Sequence, residues 1–176
     1  APLTVRRILA SLSSMYEAAI AREKPLATWN PFKSTALPRP AADLYARTEA
    51  VTDDSAQKVI AHAEADKTPK GRKATAILRL FYDTGLRRRS VALLERDKVF
   101  HRGEQVIARV VVKGAKEREV ELPSAAAEPL LRWLHEVKGR YAFPALGGGP
   151  ITLDAINKMI NRRAAAVGLK DVHPHQ

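Results

Sequence analysis

The sequence predicts a mixed α/β protein, mainly helical, with a small three-stranded antiparallel sheet. Two patterns carry this. Before Lys98 and after Pro123, apolar residues recur at i, i+3, i+4 and i+7, the period of one helix face. Between Lys98 and Leu122 the residues become β-branched and alternate with polar ones, the period of strands. A third observation sets the environment: hydrophobic residues make up 45% of the 176, yet no apolar run approaches the roughly 18 residues of a membrane span.

The first helix is marked by Val5, Ile8, Leu9, Leu12, Met15, Tyr16 and Ala19, and should end before Trp29-Asn30-Pro31. One helix has one apolar stripe and forms no core alone, so it must pack on the rest of the chain, another subunit or further helices. Pro31, Pro38 and Pro40 occur without periodicity, and residues 33–50 read as a linker between a segment 1–32 and a body 51–176. Thr52-Asp53-Asp54-Ser55 supplies N-cap candidates for a helix with Ala56, Val59, Ile60 and Ala63 on one face. Residues 66–72 read as a basic loop. Ala74, Ile77, Leu78 and Phe81 mark the next helix, with Gly85 as its left-handed C-terminal cap. A short helix should follow, turning Val91 and Leu94 inward.

The three strands are expected over Lys98-Val99-Phe100, over Gln105–Val112 and over Glu117–Leu122, with His101-Arg102-Gly103-Glu104 as the first turn. Pro123-Ser124 ends the sheet and opens a helix burying Leu130, Leu131, Trp133 or Leu134, and Val137. Pro129 is expected near the start of that helix, since a deeper proline forfeits a hydrogen bond. After Gly147-Gly148-Gly149-Pro150, Thr152 should cap a last helix with Leu153, Ile156, Met159, Ile160 and Val167 inward, closed by Gly168. There is no internal repeat and no low-complexity tract.

Charge is the strongest compositional signal. Thirty Lys+Arg against 19 Asp+Glu give a net charge of +11. Such a surface attracts polyanions, because neutralising backbone phosphates releases condensed counterions. Anionic membrane is a weaker rival, as no helix joins a broad apolar face to a uniformly basic one. RNA bound by single-strand stacking ranks lower still, since aromatics are only 6% and most sit at core spacing. Cysteine is absent, which excludes disulfides, thiolate zinc sites and cysteine nucleophiles, and fits a reducing cytosol. Ala1-Pro2-Leu3-Thr4-Val5-Arg6-Arg7 has no long apolar core behind it, unlike a secretory signal.

Several residues are candidates for chemistry. Arg87 follows a capping glycine, so its backbone is fixed and its guanidinium could fork onto two phosphate oxygens; a solvated arginine beside Arg88 and Arg89 fits the segment equally. Lys113 ends an apolar strand in a tight turn with Gly114, and could reach a phosphate or serve only turn geometry and solubility. Lys116 and Arg118 could add phosphate contacts. On the last helix Asn157, Lys158, Asn161 and Arg162 lie off the apolar face, where they meet either a DNA groove or water. His173 and His175 flank Pro174, but no companion set of Cys, His, Asp or Glu makes a metal site of them.

These segments are more specific together. Phe81-Tyr82-Asp83-Thr84-Gly85-Leu86-Arg87, the hairpin around Lys113-Gly114-Ala115-Lys116-Glu117-Arg118, Tyr141-Ala142-Phe143-Pro144, Pro150-Ile151-Thr152 and Pro174-His175 come in the order seen in the tyrosine recombinase (phage integrase) family, which the chain resembles over nearly its whole length. The resemblance implies that family's catalytic-domain core over 51–176, preceded by the last helix of a core-binding domain over 1–32. It implies an enzyme that cuts and rejoins double-stranded DNA through a 3′-phosphotyrosine, with no ATP, metal or other cofactor. Arg87 would stabilise the transition-state charge, Lys113 would protonate the leaving 5′ oxygen, and His175 would be the first histidine of the His-x-x-Arg box. Arg88, Arg89, Lys116, Arg118, Lys158 and Arg162 would bind DNA.

The chain also departs from the pattern. Tyr16, Tyr45, Tyr82 and Tyr141 all stand away from the nucleophile position, and the second arginine would lie past Gln176. Ser90 occupies the place, three after the first arginine, where the family usually carries an acid. The expectation is therefore a recombinase fragment trimmed at both ends, DNA-binding but inactive alone, from a cytoplasmic, nucleoid-associated parent acting as a homo-tetramer on DNA. The alternative is a non-catalytic DNA-binding protein on the same fold.

Overall fold

A computed structural model describes residues 2–33, 51–112 and 116–169. The chain divides into two compact units, Ala1–Ala50 and Val51–Gln176.

In the first unit, helix α1 runs over Pro2–Ile20. The chain then turns, and Asn30 folds back onto it. Asn30 is buried, and its Nδ2 donates to the Ser13 carbonyl and Oγ, both at 3.1 Å, and to Glu17 Oε1 at 2.7 Å. Its Oδ1 accepts the Phe32 amide at 2.9 Å, so every polar atom of the side chain is used. Phe32 then meets Tyr16 edge-to-face, with ring centroids 5.5 Å apart. The helix ends well before Trp29, since residues 21–33 are needed for this return. Ile8, Met15, Leu26 and Trp29 stay exposed.

The second unit is built around α3 (Pro69–Thr84), which packs against α2 (Asp53–Ala65), α4 (Arg88–Ala92), β3 (Glu117–Leu122), α5 (Ser124–Glu136) and α6 (Leu153–Ala166). Its Ala74, Ala76, Ile77 and Leu80 are fully buried; the small residues allow close approach and the large ones fill the centre. Thr52 caps α2 and Thr152 caps α6, each accepting the amide three residues on. Leu153, expected inward, is instead exposed, because α6 buries its face only from Ile156 onward.

The expected basic loop over 66–72 is shorter than read. Thr68 caps α3 by accepting the Gly71 amide at 3.2 Å, and Pro69 opens its first turn. Gly71 is buried against residue 66: a Cβ there would come 1.9 Å from the Asp66 carbonyl oxygen.

The sheet has the order β1-β2-β3, all antiparallel, with β1 at Val99–Arg102 and β2 at Gln105–Val111. Arg102 pairs with Gln105, so the first turn is Gly103-Glu104 alone, tighter than expected. Val106, Ala108 and Val110 of β2 and Leu122 of β3 belong to the core, on the side facing α3 and α5. Pro129 lies inside α5, not at its start. The donor it removes would have served the carbonyl of Ala125, an exposed residue that water can reach. Trp133 Nε1 donates to the Ala142 carbonyl at 2.8 Å, locking the segment that carries buried Phe143.

Candidate nucleic-acid interface

The site is assembled at the α3–α4 junction. Gly85 ends α3 with φ 63°, a left-handed conformation that suits glycine, and donates to the Phe81 carbonyl at 3.0 Å. Thr84 Oγ1 donates to the Leu80 carbonyl and accepts the Leu86 amide at 3.3 Å. Leu86 then packs on the core. The next residue, Arg87, is the N-cap of α4 with extended backbone, and its carbonyl accepts the Val91 amide at 3.1 Å. Its side chain is exposed, and among the described residues it makes no hydrogen bond or ion pair. A guanidinium on a fixed backbone with its donors free is suited to a phosphate.

Helix α4 is held from both sides. Arg88 Nη1 donates to Asn157 Oδ1 at 2.5 Å, tying α4 to α6. Ser90 Oγ donates to the Val111 carbonyl at 2.7 Å, tying α4 to the end of β2. Val91 and Ala92 are buried in the core. Arg89 is exposed. Of the three consecutive arginines, Arg88 is thus engaged within the protein while Arg87 and Arg89 face solvent.

Strand alternation sorts the charges of β3. Val120 packs on the core and Leu122 is buried in it, so Arg118, two residues before Val120, shares their face at the strand's open end. Glu117, Glu119 and Glu121 project from the other face. There Glu119 accepts Arg102 at 2.8 Å and Arg109 at 2.9 Å, and Lys98 lies 3.5 Å from Glu117. The Arg109 hydrogen bond, then that of Arg102, holds the Glu119 carboxyl below its ordinary range. Both guanidiniums also sit over the Phe100 ring, at 5.8 and 5.4 Å from its centroid. The outer sheet face is therefore internally neutralised, while Arg118 is paired with no carboxylate among the described residues. Lys116, whose carbonyl accepts the Val112 amide at 2.8 Å, is exposed beside it.

On α6, Lys158 and Arg162 are exposed and four residues apart, on the side opposite Ile156, Ile160 and Ala164. Lys158 pairs with Asp154 at 2.9 Å, a solvent-exposed contact of little energy. Arg163, by contrast, turns inward and clasps Asp66, joining α6 to the α2–α3 loop.

Of the residues singled out from sequence, the structure brings Arg87, Arg88 and Arg89 onto one short helix contacting both β2 and α6. Lys113 and His175 lie outside the described residues. Ser90 and Asn157 are the structural residues whose roles the sequence did not reveal. Their partners, a backbone carbonyl and an arginine far along the chain, leave no local pattern to read.

The sequence profile described as the phage integrase family matches residues 49–176. A tyrosine recombinase XerC of Corynebacterium efficiens is 35% identical over 119 residues, covering 64% of this chain and 37% of that protein. A XerC of Xylella fastidiosa strain M23 is 34% identical over 112 residues, 61% of this chain and 37% of the relative. The chain thus spans little more than a third of the curated relatives it matches. Among solved structures, the Tn1549 transposon integrase in complex with circular-intermediate DNA superposes with a TM-score of 0.66 at 17% identity, covering 100% of this chain and 62% of that one. Lambda integrase bound to DNA gives 0.64 at 17% identity, covering 97% and 59%. At such identities these structures speak for the fold.

Proposed function

The chain belongs to the phage integrase family, and from that premise we propose that it is a DNA-binding portion of a site-specific recombinase that cuts and rejoins DNA through a 3′-phosphotyrosine. The observation that carries this reading is Arg87, presented on a capped helix junction with its guanidinium unengaged among the described residues, beside a strand pair whose Arg118 faces away from the acidic row. Arg87 stabilises the charge that builds on the phosphate as its oxygens rearrange. Lys113 protonates the leaving 5′ oxygen, and His175 assists proton transfer or holds the phosphate. Bond energy is stored in the phosphotyrosine, so strand exchange draws on no nucleotide cofactor. Arg89, Lys116, Arg118, Lys158 and Arg162 contact the duplex, and Arg88 acts through its bond to Asn157. Residues 1–32 supply a helix of the core-binding domain and 33–50 the linker, with 51–176 forming the N-terminal part of the catalytic domain. Lambda integrase has been solved as a tetramer bound to a Holliday junction, and a homo-tetramer on DNA at the nucleoid is the working assembly we assign to the intact parent.

The test is duplex binding by this chain. If about five phosphates are neutralised, log K falls against log salt with a slope near −4 to −5. Arg87→Ala weakens binding by about ten- to a hundredfold, the range for a charged hydrogen bond. A flat salt response overturns the reading. The rival, a non-catalytic DNA-binding protein on the same fold, draws its support from Ser90 standing in place of an acid.

A further inference from the structure

The departure at residue 90 has a structural explanation of its own. We propose that Ser90 is a positioning residue, whose hydroxyl sets the spacing between Arg87 and the basic end of the β2–β3 pair by donating to the Val111 carbonyl. The serine then replaces the family's acid by a different hydrogen bond and is not a lesion. This rests on the DNA-binding reading above.

β1 has 4 residues and β2 has 7, and Val99, the first residue of β1, lies opposite Ala108. β2 therefore outruns β1. In an antiparallel ladder, successive residues direct their backbone groups to opposite neighbours. Val112 donates to the Lys116 carbonyl on the β3 side at 2.8 Å. Val111, one residue earlier, must direct its carbonyl to the β1 side, where β1 no longer reaches. Ser90, only 3% exposed, fills that gap with Oγ at 2.7 Å.

Both ends of this bond lead to the site. Ser90 lies in the first turn of α4, whose N-cap is Arg87. Val111 lies between Val110, opposite Arg118, and Val112, bonded to Lys116. Among the described residues no other side-chain hydrogen bond joins α4 to the sheet. An ionised carboxylate at position 90 has no proton to give and would set its oxygens against a carbonyl oxygen. In this chain the acid breaks what the serine makes.

The experiment compares wild type with Ser90→Ala, Ser90→Thr and Ser90→Asp. In Ser90→Ala, amide exchange at Val112 accelerates by about two- to tenfold relative to Ala108, the worth of one hydrogen bond. Ser90→Thr keeps a hydroxyl and stays near wild type. The second arm measures duplex binding of Arg87→Ala, Arg118→Ala and the double variant. In wild type, the double loss departs from the product of the single losses by about two- to tenfold, the coupling expected of neighbouring groups on one ligand. In Ser90→Ala the losses become multiplicative, and in Ser90→Thr the coupling returns. Unchanged exchange at Val112 in Ser90→Ala overturns the link. Faster exchange with the coupling intact overturns the positioning role. Tighter binding or stronger coupling in Ser90→Asp shows that the site needs an acid, and overturns the proposal too. Absence of salt-dependent binding by wild type counts against the DNA reading instead, while the exchange arm still judges the hydrogen bond.

Discussion

Arg87 owes its placement to its neighbours: a left-handed glycine that stops one helix, a threonine that holds the turn, and a leucine that pins it to the core. That much was legible in Thr84-Gly85-Leu86-Arg87, because capping is local chemistry. Asp66 shows the opposite case. Its carboxylate accepts the Thr68 amide at 3.0 Å and pairs with Arg163, a partner 97 residues away. Hydrogen bonds from Thr68, then from Arg163, hold its pKa far below the ordinary carboxylate range. A carboxylate depressed in the folded state stabilises the fold above its unfolded pKa of about 3.9 and loses that contribution as pH falls below it. Asp66→Asn should therefore lower the thermal midpoint near neutral pH and narrow its drop between about pH 5 and pH 2. Thermal melts across that range check this; an unchanged acid-side slope would show that the pair contributes nothing to pH dependence.

At the scale of elements, α3 and α6 carry the predictions. Gly71 sits in the first turn of α3, where helix propensity alone says alanine should gain about 1 kcal/mol. The Asp66 carbonyl occupies the space a methyl would need, 1.9 Å from the Cβ position. Overpacking against backbone wins, so Gly71→Ala should destabilise by about 1–3 kcal/mol, read by denaturant unfolding. The start of α3 is obscured in the sequence because lysines, proline and glycine dominate 66–72 and mask the Thr68-Pro69 cap, a local signal that is nonetheless there. On α6, replacing Lys158 and Arg162 together with alanine should weaken duplex binding and leave the melting curve in place, since both side chains face solvent and the Lys158–Asp154 pair is exposed. Unchanged affinity would make this face a solvated surface. That Pro129 lies within α5 could not be read from its own sequence, because tolerance depends on whether water reaches the carbonyl it leaves free.

At the scale of the whole molecule, a net charge of +11 favours polyanionic partners in general, but charge alone does no chemistry. All 4 tyrosines precede the segment that resembles the histidine box. Tyr82, the one nearest Arg87 in sequence, hydrogen-bonds Asp53, which raises its phenol pKa and makes it a poorer nucleophile. On a nicked suicide substrate the chain should therefore form no covalent protein–DNA adduct that survives denaturation. An adduct mapped to any of these tyrosines would refute that expectation.

The helices, the three strands, the basic character and the family are legible in one dimension, because periodicity, capping and turn chemistry act over a few residues and motif order follows the chain. Which charges are spent inside the protein and which remain outside depends on the folded arrangement. Arg88 is held by Asn157, Arg102 and Arg109 by Glu119, and Arg163 by Asp66, while Arg87 keeps its donors free among the described residues. In sequence Ser90 is only an absent acid; in the fold β2 outruns β1 and leaves the Val111 carbonyl for its hydroxyl to bond. Such pairings depend on distances between residues far apart in the chain, and the energy of a buried polar group depends on finding its partner across that distance.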